Sequence, residues 1–437
     1  MLAGVGASLV YSAEKTQETV APAHVELKQA DGHWALFVNQ KPFFVKGAGL
    51  EFGDQEKLAA AGGNSFRTWR TENGQESGRK VLDHAFKNGL YVTMGLEVSR
   101  ERHGFNYSDP VAVAKQLAEI KGQVMALKDH PALLAWDIGN ELNLNSTNPM
   151  VWNAVNDISK MIHQVDTNHP TTTSLAGIGK SVVAEIKNRA PDLDFLCFQS
   201  YADIVNLPRQ LQDCGWNGPY MVTEWGATGH WECGKTAWGA PIEDNSTVKA
   251  RLYRRRYEIA IGSDKTNCLG SYVFLWGQKQ ERTPTWYGMF LASGESTATV
   301  DSLQEIWTGQ KPATLSPEIE GLWLDGKTAQ QSVHVNAGQS YAVKIAAHSP
   351  SASTLKYVCN IMEESGAQST GGDFETQPQV IPGLVTPGEP GEAKVKAPSK
   401  PGAYRLFAYV IDANGKAGYA NLPFYVGAKT AAVAAQE

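Results

Sequence analysis

Two glutamates end apolar runs of the chain, and together they could carry acid–base chemistry. Glu141 closes the run "LLAWDIGNE", in which Asp137 and Asn140 are also polar, and Glu224 closes the apolar part of "PYMVTEWGA". Cleavage of a glycosidic bond needs a proton donor for the leaving oxygen and a second carboxylate on the opposite side of the anomeric carbon. Retaining enzymes hold the two groups about 5–5.5 Å apart, and inverting enzymes hold them roughly 6.5–9.5 Å apart. Strand ends that project toward one mouth of a tight barrel favour the shorter distance, so Glu141 and Glu224 are predicted as a retaining catalytic pair.

The elements that must position this pair are apolar runs of β type between residues 42 and 312, separated mostly by segments with helical spacing. There are eight such runs, "PFFVKGAGL", "NSFRTWR", "LYVTMGLEV", "LLAWDIGNE", "TTTSL", "DFLCFQSY", "PYMVTEWGA" and "LGSYVFLWGQ". Asp109-Pro110 and Asn148-Pro149 are helix-opening signals for two of the helical segments. This alternation predicts an α/β fold, a (β/α)₈ TIM barrel, in a catalytic domain of residues 24–314 that begins with a hairpin. A doubly wound open sheet is the alternative, but no glycine-rich phosphate-binding motif follows the first strand.

Other candidate site residues lie at the predicted strand ends, because reactive groups of a parallel barrel gather at the carboxyl ends of its strands. Arg67 follows the second run, Tyr201 the sixth and Trp276 the eighth. Arg67 is expected to stabilise Glu224 as an anion, and Tyr201 can hydrogen-bond the same carboxylate. Trp276 offers an apolar floor for a sugar ring. Each of these residues also has a purely structural use, an ion pair or a packed core, so the hypothesis depends on their occurring together.

The loop after Glu224, "WGATGHWECGKTAWGAP", is rich in tryptophan and glycine. Trp225, Trp231 and Trp238 are predicted to bind substrate by stacking, since the C–H faces of pyranose rings suit aromatic planes. Packing is the alternative use of any single tryptophan. Several of them at one face of a barrel indicate a cleft with several sugar-binding positions, and hence a polymeric substrate.

The pattern of hydrophobic residues along the chain changes near Pro312. Residues 315–428 hold short alternating runs punctuated by proline and glycine, and Asn414-Gly415 marks a tight hairpin. This pattern predicts a small antiparallel β-sandwich of immunoglobulin-like type. The polar stretch "EESGAQSTGGDFETQPQ" is expected to be a loop within it. We expect the sandwich to buttress the barrel, with carbohydrate binding as the alternative.

Composition and charge exclude several classes of protein. The net charge is −6 and the pI is near 6.0, which argue against a nucleic-acid or membrane partner. Residues 1–23 are either a secretory signal or a disordered tail, and residues 429–437 are predicted to be disordered. The signal reading implies a periplasmic or secreted protein, and we expect a monomer.

The cysteines and histidines do not suggest a metal or a redox centre. Five cysteines at irregular spacing form neither a disulfide framework nor a zinc motif, although a bridge between Cys214 and Cys233 remains open. The histidines show no metal-ligand spacing. We therefore expect no metal and no cofactor.

The motifs "WDIGNE" and "VTEWG", with "NSFRTWR" before them and "SYVFLWG" after, resemble the clan A glycoside hydrolases over most of residues 34–290. The resemblance implies that Glu141 is the acid/base, that Glu224 is the nucleophile and that Asn140 contacts the sugar 2-hydroxyl. It also implies substrate-binding roles for Arg67, Tyr201 and Trp276. The sequence departs from the clan at a substrate-contacting histidine, because the third strand ends in Glu97 and His103 follows only in the next loop.

The resemblance also suggests a substrate. A lone barrel of this clan followed by an immunoglobulin-like sandwich is similar to bacterial endo-β-1,3-glucanases, which implies β-glucan or a related polysaccharide as the partner. A β-1,3-glucanosyltransferase, a β-mannanase and a β-1,4-glucanase remain open on the same barrel. A non-catalytic glycan-binding protein is the alternative from another class, although both carboxylates and the strand-two arginine are present.

Overall fold

The computed structural model describes residues 20–367 and 369–427. The tail predicted for residues 1–23 falls outside this part except for its last residues, and the tail predicted for 429–437 lies wholly outside it. The described chain begins with an antiparallel sheet of three strands, β1 (Val25–Ala30), β2 (His33–Val38) and β3 (Lys41–Phe43). Leu36 and Val38 of this sheet share a buried cluster with Phe195 and Leu269, so the sheet covers the N-terminal end of the strands that follow.

Eight parallel strands then close into a barrel in the order of the chain, and the predicted fold class is confirmed. The strands are β4 (Val45–Gly49), β5 (Ser65–Arg67), β6 (Tyr91–Leu96), β7 (Leu133–Asn140), β8 (Thr171–Ala176), β9 (Leu196–Gln199), β10 (Tyr220–Glu224) and β11 (Cys268–Val273). Nearly all their residues are buried, as expected for a parallel sheet that is covered on both faces.

Helices and short 3₁₀ turns connect the barrel strands. The helices are α1 (Gln55–Ala60), α2 (Gly78–Lys87), α3 (Pro110–Leu127), α4 (Met150–Val165), α5 (Lys180–Arg189), α6 (Leu207–Cys214), α7 (Ser246–Ala260) and α8 (Ala298–Thr308). The predicted opening of α3 is present, because the Asp109 side chain accepts hydrogen bonds from the first free backbone N–H groups and Pro110 is the first helical residue. Within residues 20–367 and 369–427, no helix is long and apolar enough to cross a bilayer.

A two-sheet β-sandwich follows the barrel. Its strands are β12 (Ser296–Thr297), β13 (Glu318–Leu324), β14 (Val333–Val335), β15 (Ser340–His348), β16 (Leu355–Glu363), β17 (Val385–Pro387), β18 (Glu392–Lys396), β19 (Gly402–Asp412) and β20 (Lys416–Val426). One sheet has the order β13-β15-β18-β17, and the other has the order β12-β20-β19-β16 with β14 also paired to β20. The hairpin at Asn414-Gly415 joins β19 to β20 as predicted, and Gly415 takes a φ of 73° in the turn.

The barrel and the sandwich share structure across the boundary predicted between residues 314 and 315. The short strand β12 precedes α8 in the chain, yet it pairs with β20, so that Ser296 lies opposite Lys416. Sequence pattern alone did not reveal this strand, since two residues are too few to show a period. All five cysteines lie in the described part and are free thiols, so Cys214 and Cys233 are not bridged here.

Candidate active site

The C-terminal end of β7 departs from regular strand geometry where its polar residues begin. Gly139 has a φ of 76° and Glu141 a φ of 51°, and the pairing of β7 with β8 shifts register between Asp137 and Asn140. Residues three apart in a regular strand point to opposite faces, whereas the irregularity allows Asp137 and Asn140 to reach the same partner. A positive φ at a glutamate is strained, and such strain concentrates at functional sites.

Arg67 is the partner that joins the polar residues, and its side chain is wholly buried at the end of β5. One terminal nitrogen, Nη2, donates to Asp137 Oδ2 at 3.0 Å and to Asn140 Oδ1 at 2.8 Å. The other, Nη1, donates to Glu224 Oε1 at 2.9 Å. Burial alone would lower the pKa of Arg67, but the charges of Asp137 and Glu224 hold it above its usual value. Arg67 therefore stays cationic and links the ends of three strands.

Glu224 receives donors on both of its carboxylate oxygens. Oε1 accepts from Arg67 and from Trp69 Nε1, each at 2.9 Å, and Oε2 accepts from the Tyr201 hydroxyl at 2.8 Å. Burial and the neighbouring charge of Glu224 raise the pKa of Tyr201 well above its usual value, so the hydroxyl keeps its proton and donates it. An ionised carboxylate is an acceptor only, and an arrangement of three donors suits that form.

Glu141 lies in a contrasting environment. Burial, followed by the negative charge of Glu224, raises the pKa of Glu141 from its ordinary 4.5 to about 7, although Arg102, Arg100 and Arg67 oppose the shift. The residue is only partly exposed, with one side open to the cleft. Two carboxylates whose surroundings favour opposite protonation states can act as an acid and as an anion at the same pH.

Replacing Glu141 with Gln should stabilise the fold above neutral pH. The folded state holds a proton on Glu141 up to about pH 7, while the unfolded chain releases it near pH 4.5, so stability from this group falls as the pH rises between these values. Gln carries no charge, so the unfolding free energy of the variant should exceed that of wild type by an amount that grows from pH 4.5 to pH 7. This difference should then level off at roughly 1–2 kcal/mol. Urea unfolding at several pH values measures this, and a difference that is independent of pH would contradict it.

A second set of side chains orients the first. Gln199 Nε2 donates to Asn140 Oδ1 at 2.6 Å, and Ser174 Oγ donates to Asp137 Oδ2 at 2.7 Å. Because Asn140 Oδ1 accepts from both Arg67 and Gln199, the amide nitrogen of Asn140 remains available as a donor toward a ligand.

Trp69 and Gln199 are functional candidates that the sequence analysis missed. Trp69 follows Arg67 by two positions in the run "NSFRTWR". Side chains two positions apart in a strand point to the same face, so extending the predicted strand to residue 69 would have placed Trp69 beside Arg67. Gln199 ends β9 two residues before the predicted Tyr201, and its type alone gave no signal. Arg100 and Arg102 were also missed; they donate to the backbone oxygens of Asn140 and Glu141 at 3.2 and 3.0 Å.

A cavity of 1770 Å³ opens over these residues. It is lined by both glutamates and by further residues predicted from the sequence, Asn140, Tyr201, Trp231, Trp238 and Trp276. Trp231 is 56% exposed at its rim, whereas Trp238 is partly buried against His334 and Tyr425 of the sandwich. The cavity exceeds the range of about 300–1,000 Å³ that is common for small-molecule pockets.

Two predicted tryptophans do not present a ring face to this cleft. Trp225 is absent from its walls, and its fully buried ring packs against Tyr253 and Tyr257 on α7, so the predicted stacking role is wrong. Trp276 borders the cleft, but its ring has no exposed surface and packs against Phe290. Trp276 thus supports the wall of the cleft instead of forming an open floor.

Two histidines near the cleft, His103 and His230, lie beside acidic residues. The Nε2 atom of His103 lies 3.3 Å from Asp373 of the sandwich. His230, from the loop after β10, lines the cleft and lies 3.4 Å from Glu281. Among the described residues, no group of three or more His, Cys, Asp or Glu side chains is arranged to hold a metal ion.

Comparison with known proteins finds likeness in structure only. No protein-family model matches the chain, and no curated protein sequence matches it. Among solved structures, the β-glucuronidase from Ruminococcus gnavus is 14% identical with a TM-score of 0.50 and aligns over 65% of this chain and 52% of its own. The Bifidobacterium dentium β-glucuronidase is 16% identical with a TM-score of 0.50, over 66% of this chain and 49% of its own. Bacteroides uniformis β-glucuronidase 2 is 15% identical with a TM-score of 0.50, over 92% of this chain and 48% of its own.

These likenesses establish the fold, a barrel of eight parallel strands with an attached β-sandwich. The chain spans about half the length of the solved structures that it matches.

Proposed function

We propose that the protein is a retaining β-glycosidase in which Glu141 is the acid/base and Glu224 the nucleophile. The observation that carries the proposal is the contrast between two carboxylates in one cleft. Glu224 accepts hydrogen bonds from Arg67, Trp69 and Tyr201, and burial raises the pKa of Glu141 to about 7. Retaining hydrolysis requires this division of roles.

The proposed reaction uses the two carboxylates in turn. Glu141 gives its proton to the glycosidic oxygen while a Glu224 oxygen bonds to the anomeric carbon, so that the glycosidic bond breaks and a glycosyl ester forms. Glu141, now ionised, takes a proton from water, which attacks the anomeric carbon and releases Glu224. The free amide N–H groups of Asn140 suit the sugar 2-hydroxyl, since its carbonyl oxygen is already occupied by Arg67 and Gln199.

We propose β-1,3-glucan as the substrate, cut internally, with action outside the cytoplasm where such polymers occur. Support comes from the resemblance of the sequence motifs and from a cleft large enough for several sugar units. Transfer to a second sugar in place of water uses the same two glutamates and stays open.

The test is product analysis after incubation with laminarin, mixed-linkage glucan, carboxymethylcellulose, mannan and galactan, and with aryl β-glucuronide and β-galactoside. We expect short oligosaccharides from laminarin whose new reducing ends are first formed as the β anomer, read by proton NMR at early times. α-Anomeric products would overturn the retaining assignment while leaving a glycosidase. Release from another substrate alone would replace the glucan, and products longer than the substrate would identify a transglycosylase. No turnover of any substrate would favour the glycan-binding alternative.

A further inference from the structure

A loop of the sandwich, Ser369–Glu375, reaches the candidate acid across the domain boundary; we call it the rim loop. Gly371 in this loop has a φ of 61°, and a Cβ placed on it would lie 2.9 Å from Glu141 Oε2 and 2.7 Å from Arg102 Nη2. Space for this approach exists because the residue is glycine. The rim loop therefore forms the side of the cleft next to Glu141.

Barrel residues fix the rim loop on both sides of its tip. Lys279 Nζ donates to the Gly372 carbonyl oxygen at 2.8 Å, and His103 lies 3.3 Å from Asp373. Nearer the end of the loop, the Arg282 backbone N–H donates to Glu375 at 2.6 Å, and Glu375 is buried. Because the loops after β6 and β11 both bind the rim loop, it is held in place as one wall of the cleft.

Phe374 stands between these fixed points and is 89% exposed. Four Phe, Trp or Tyr side chains are exposed in the part of the chain that the structure describes, and three of them, Phe52, Trp231 and Phe374, line the cleft. The fourth, Phe86, lies away from it on α2. A ring left in water forgoes the free energy of burial, and clustered exposed apolar groups mark binding surfaces.

We infer that the rim loop binds the leaving-group sugar and that Phe374 is its stacking platform, an inference that rests on the proposed function. The general acid contacts the glycosidic oxygen, so whatever lies on the far side of Glu141 from the nucleophile faces the leaving group. Glu224 is enclosed by Arg67, Trp69 and Tyr201, whereas Glu141 is flanked by the rim loop. The ligand is thus a pyranose unit of the departing oligosaccharide, and the sandwich supplies specificity as well as support.

Two substrates separate this role from the rest of the site. A β-linked oligosaccharide of the cleaved polymer carries a leaving-group sugar that can stack on Phe374. The glycosyl fluoride has the same sugars on the nucleophile side, but its leaving group is a fluoride ion, which is too small to contact Phe374. Phe374→Ala should lower kcat/KM for the oligosaccharide about 10-fold, the scale of one lost aromatic contact. The fluoride should react within about 2-fold of wild type, and Phe374→Trp should restore the oligosaccharide rate.

Phe86→Ala is the matched control, since it removes an exposed phenyl ring remote from the cleft and should alter neither rate. Phe374→Ala should unfold at the wild-type temperature because its ring is 89% exposed, whereas Phe86→Ala should unfold slightly earlier because its half-exposed ring packs edge-on against His130. Equal loss on both substrates, or no loss on either, would overturn the inference while leaving the glycosidase intact. A wild-type protein that cleaves neither substrate would overturn the proposed function and this inference together.

Discussion

Glu224→Gln is expected to lower kcat/KM by on the order of 10⁴-fold, because an amide cannot form the glycosyl ester through which the proposed reaction passes. The fold should survive the change. The glutamine side chain keeps an oxygen for Arg67 and Trp69 to bond, and its nitrogen can approach the Tyr201 hydroxyl oxygen. Binding of an oligosaccharide should persist, so the variant separates loss of chemistry from loss of affinity. Steady-state kinetics, calorimetric titration with the oligosaccharide and thermal unfolding give the three readouts.

Glu97→Gln provides the control for this substitution. Glu97 also lines the cleft as a carboxylate, but it is exposed and lies at the end of β6, apart from the Arg67 cluster. Its replacement should change kcat/KM by less than about 3-fold, the scale of an exposed charge. If Glu224→Gln retained wild-type turnover, the assignment of the nucleophile would be refuted. Equal losses in the two variants would instead indicate a general effect of charge in the cleft.

The framework of the site was predictable because it depends on strong, local sequence signals. Buried parallel strands read as continuous apolar runs, and a polar residue that ends such a run stands out. Glu141 and Glu224 were located in this way, as was Arg67, which the fold buries completely. The bend at Gly139 was not foreseen, although it is the feature that directs Asp137 and Asn140 to one partner.

The cleft walls were harder to predict. Aromatic residues in a loop follow no regular spacing, so the sequence does not show which side chains face the cleft and which are buried in the core. Trp225 and Trp231 belong to the same glycine-rich loop, yet the first is fully buried on α7 and the second is 56% exposed at the cleft. The approach of Gly371 to Glu141 joins two distant parts of the chain through the docking of two domains. No local pattern encodes such a contact, and the polar composition of the rim loop indicated only a loop.

A buried ion pair lies where the two domains dock. Lys249 on α7 and Glu243 in the loop before it are almost fully buried, with 2.6 Å between Nζ and Oε1. The sandwich completes their hydrogen bonding from β20, since Tyr419 lies 3.0 Å from Lys249 Nζ and Asn421 donates to Glu243 at 2.5 Å. Each charge therefore depends on both domains for its partners.

Lys249→Met is expected to destabilise the protein by about 3–5 kcal/mol, because it leaves Glu243 buried without its cation. Methionine preserves most of the side-chain volume, so little of this effect should come from lost packing. Urea unfolding followed by intrinsic tryptophan fluorescence measures the change. Lys121→Met, on the exposed face of α3, is the control and should shift the unfolding free energy by less than about 0.5 kcal/mol.

The double variant Glu243→Gln with Lys249→Met identifies the source of the loss. If the cost is the unpaired carboxylate, neutralising it should recover part of the stability, and the double variant should be more stable than Lys249→Met alone. Equal or greater loss in the double variant would assign the effect to packing. The same substitution also bears on the rim loop, because the sandwich carries Phe374 to the cleft. Loosening the domain contact below the unfolding transition should therefore reduce cleavage of the oligosaccharide before it reduces reaction of the glycosyl fluoride, because the nucleophile Glu224 is held by barrel residues alone.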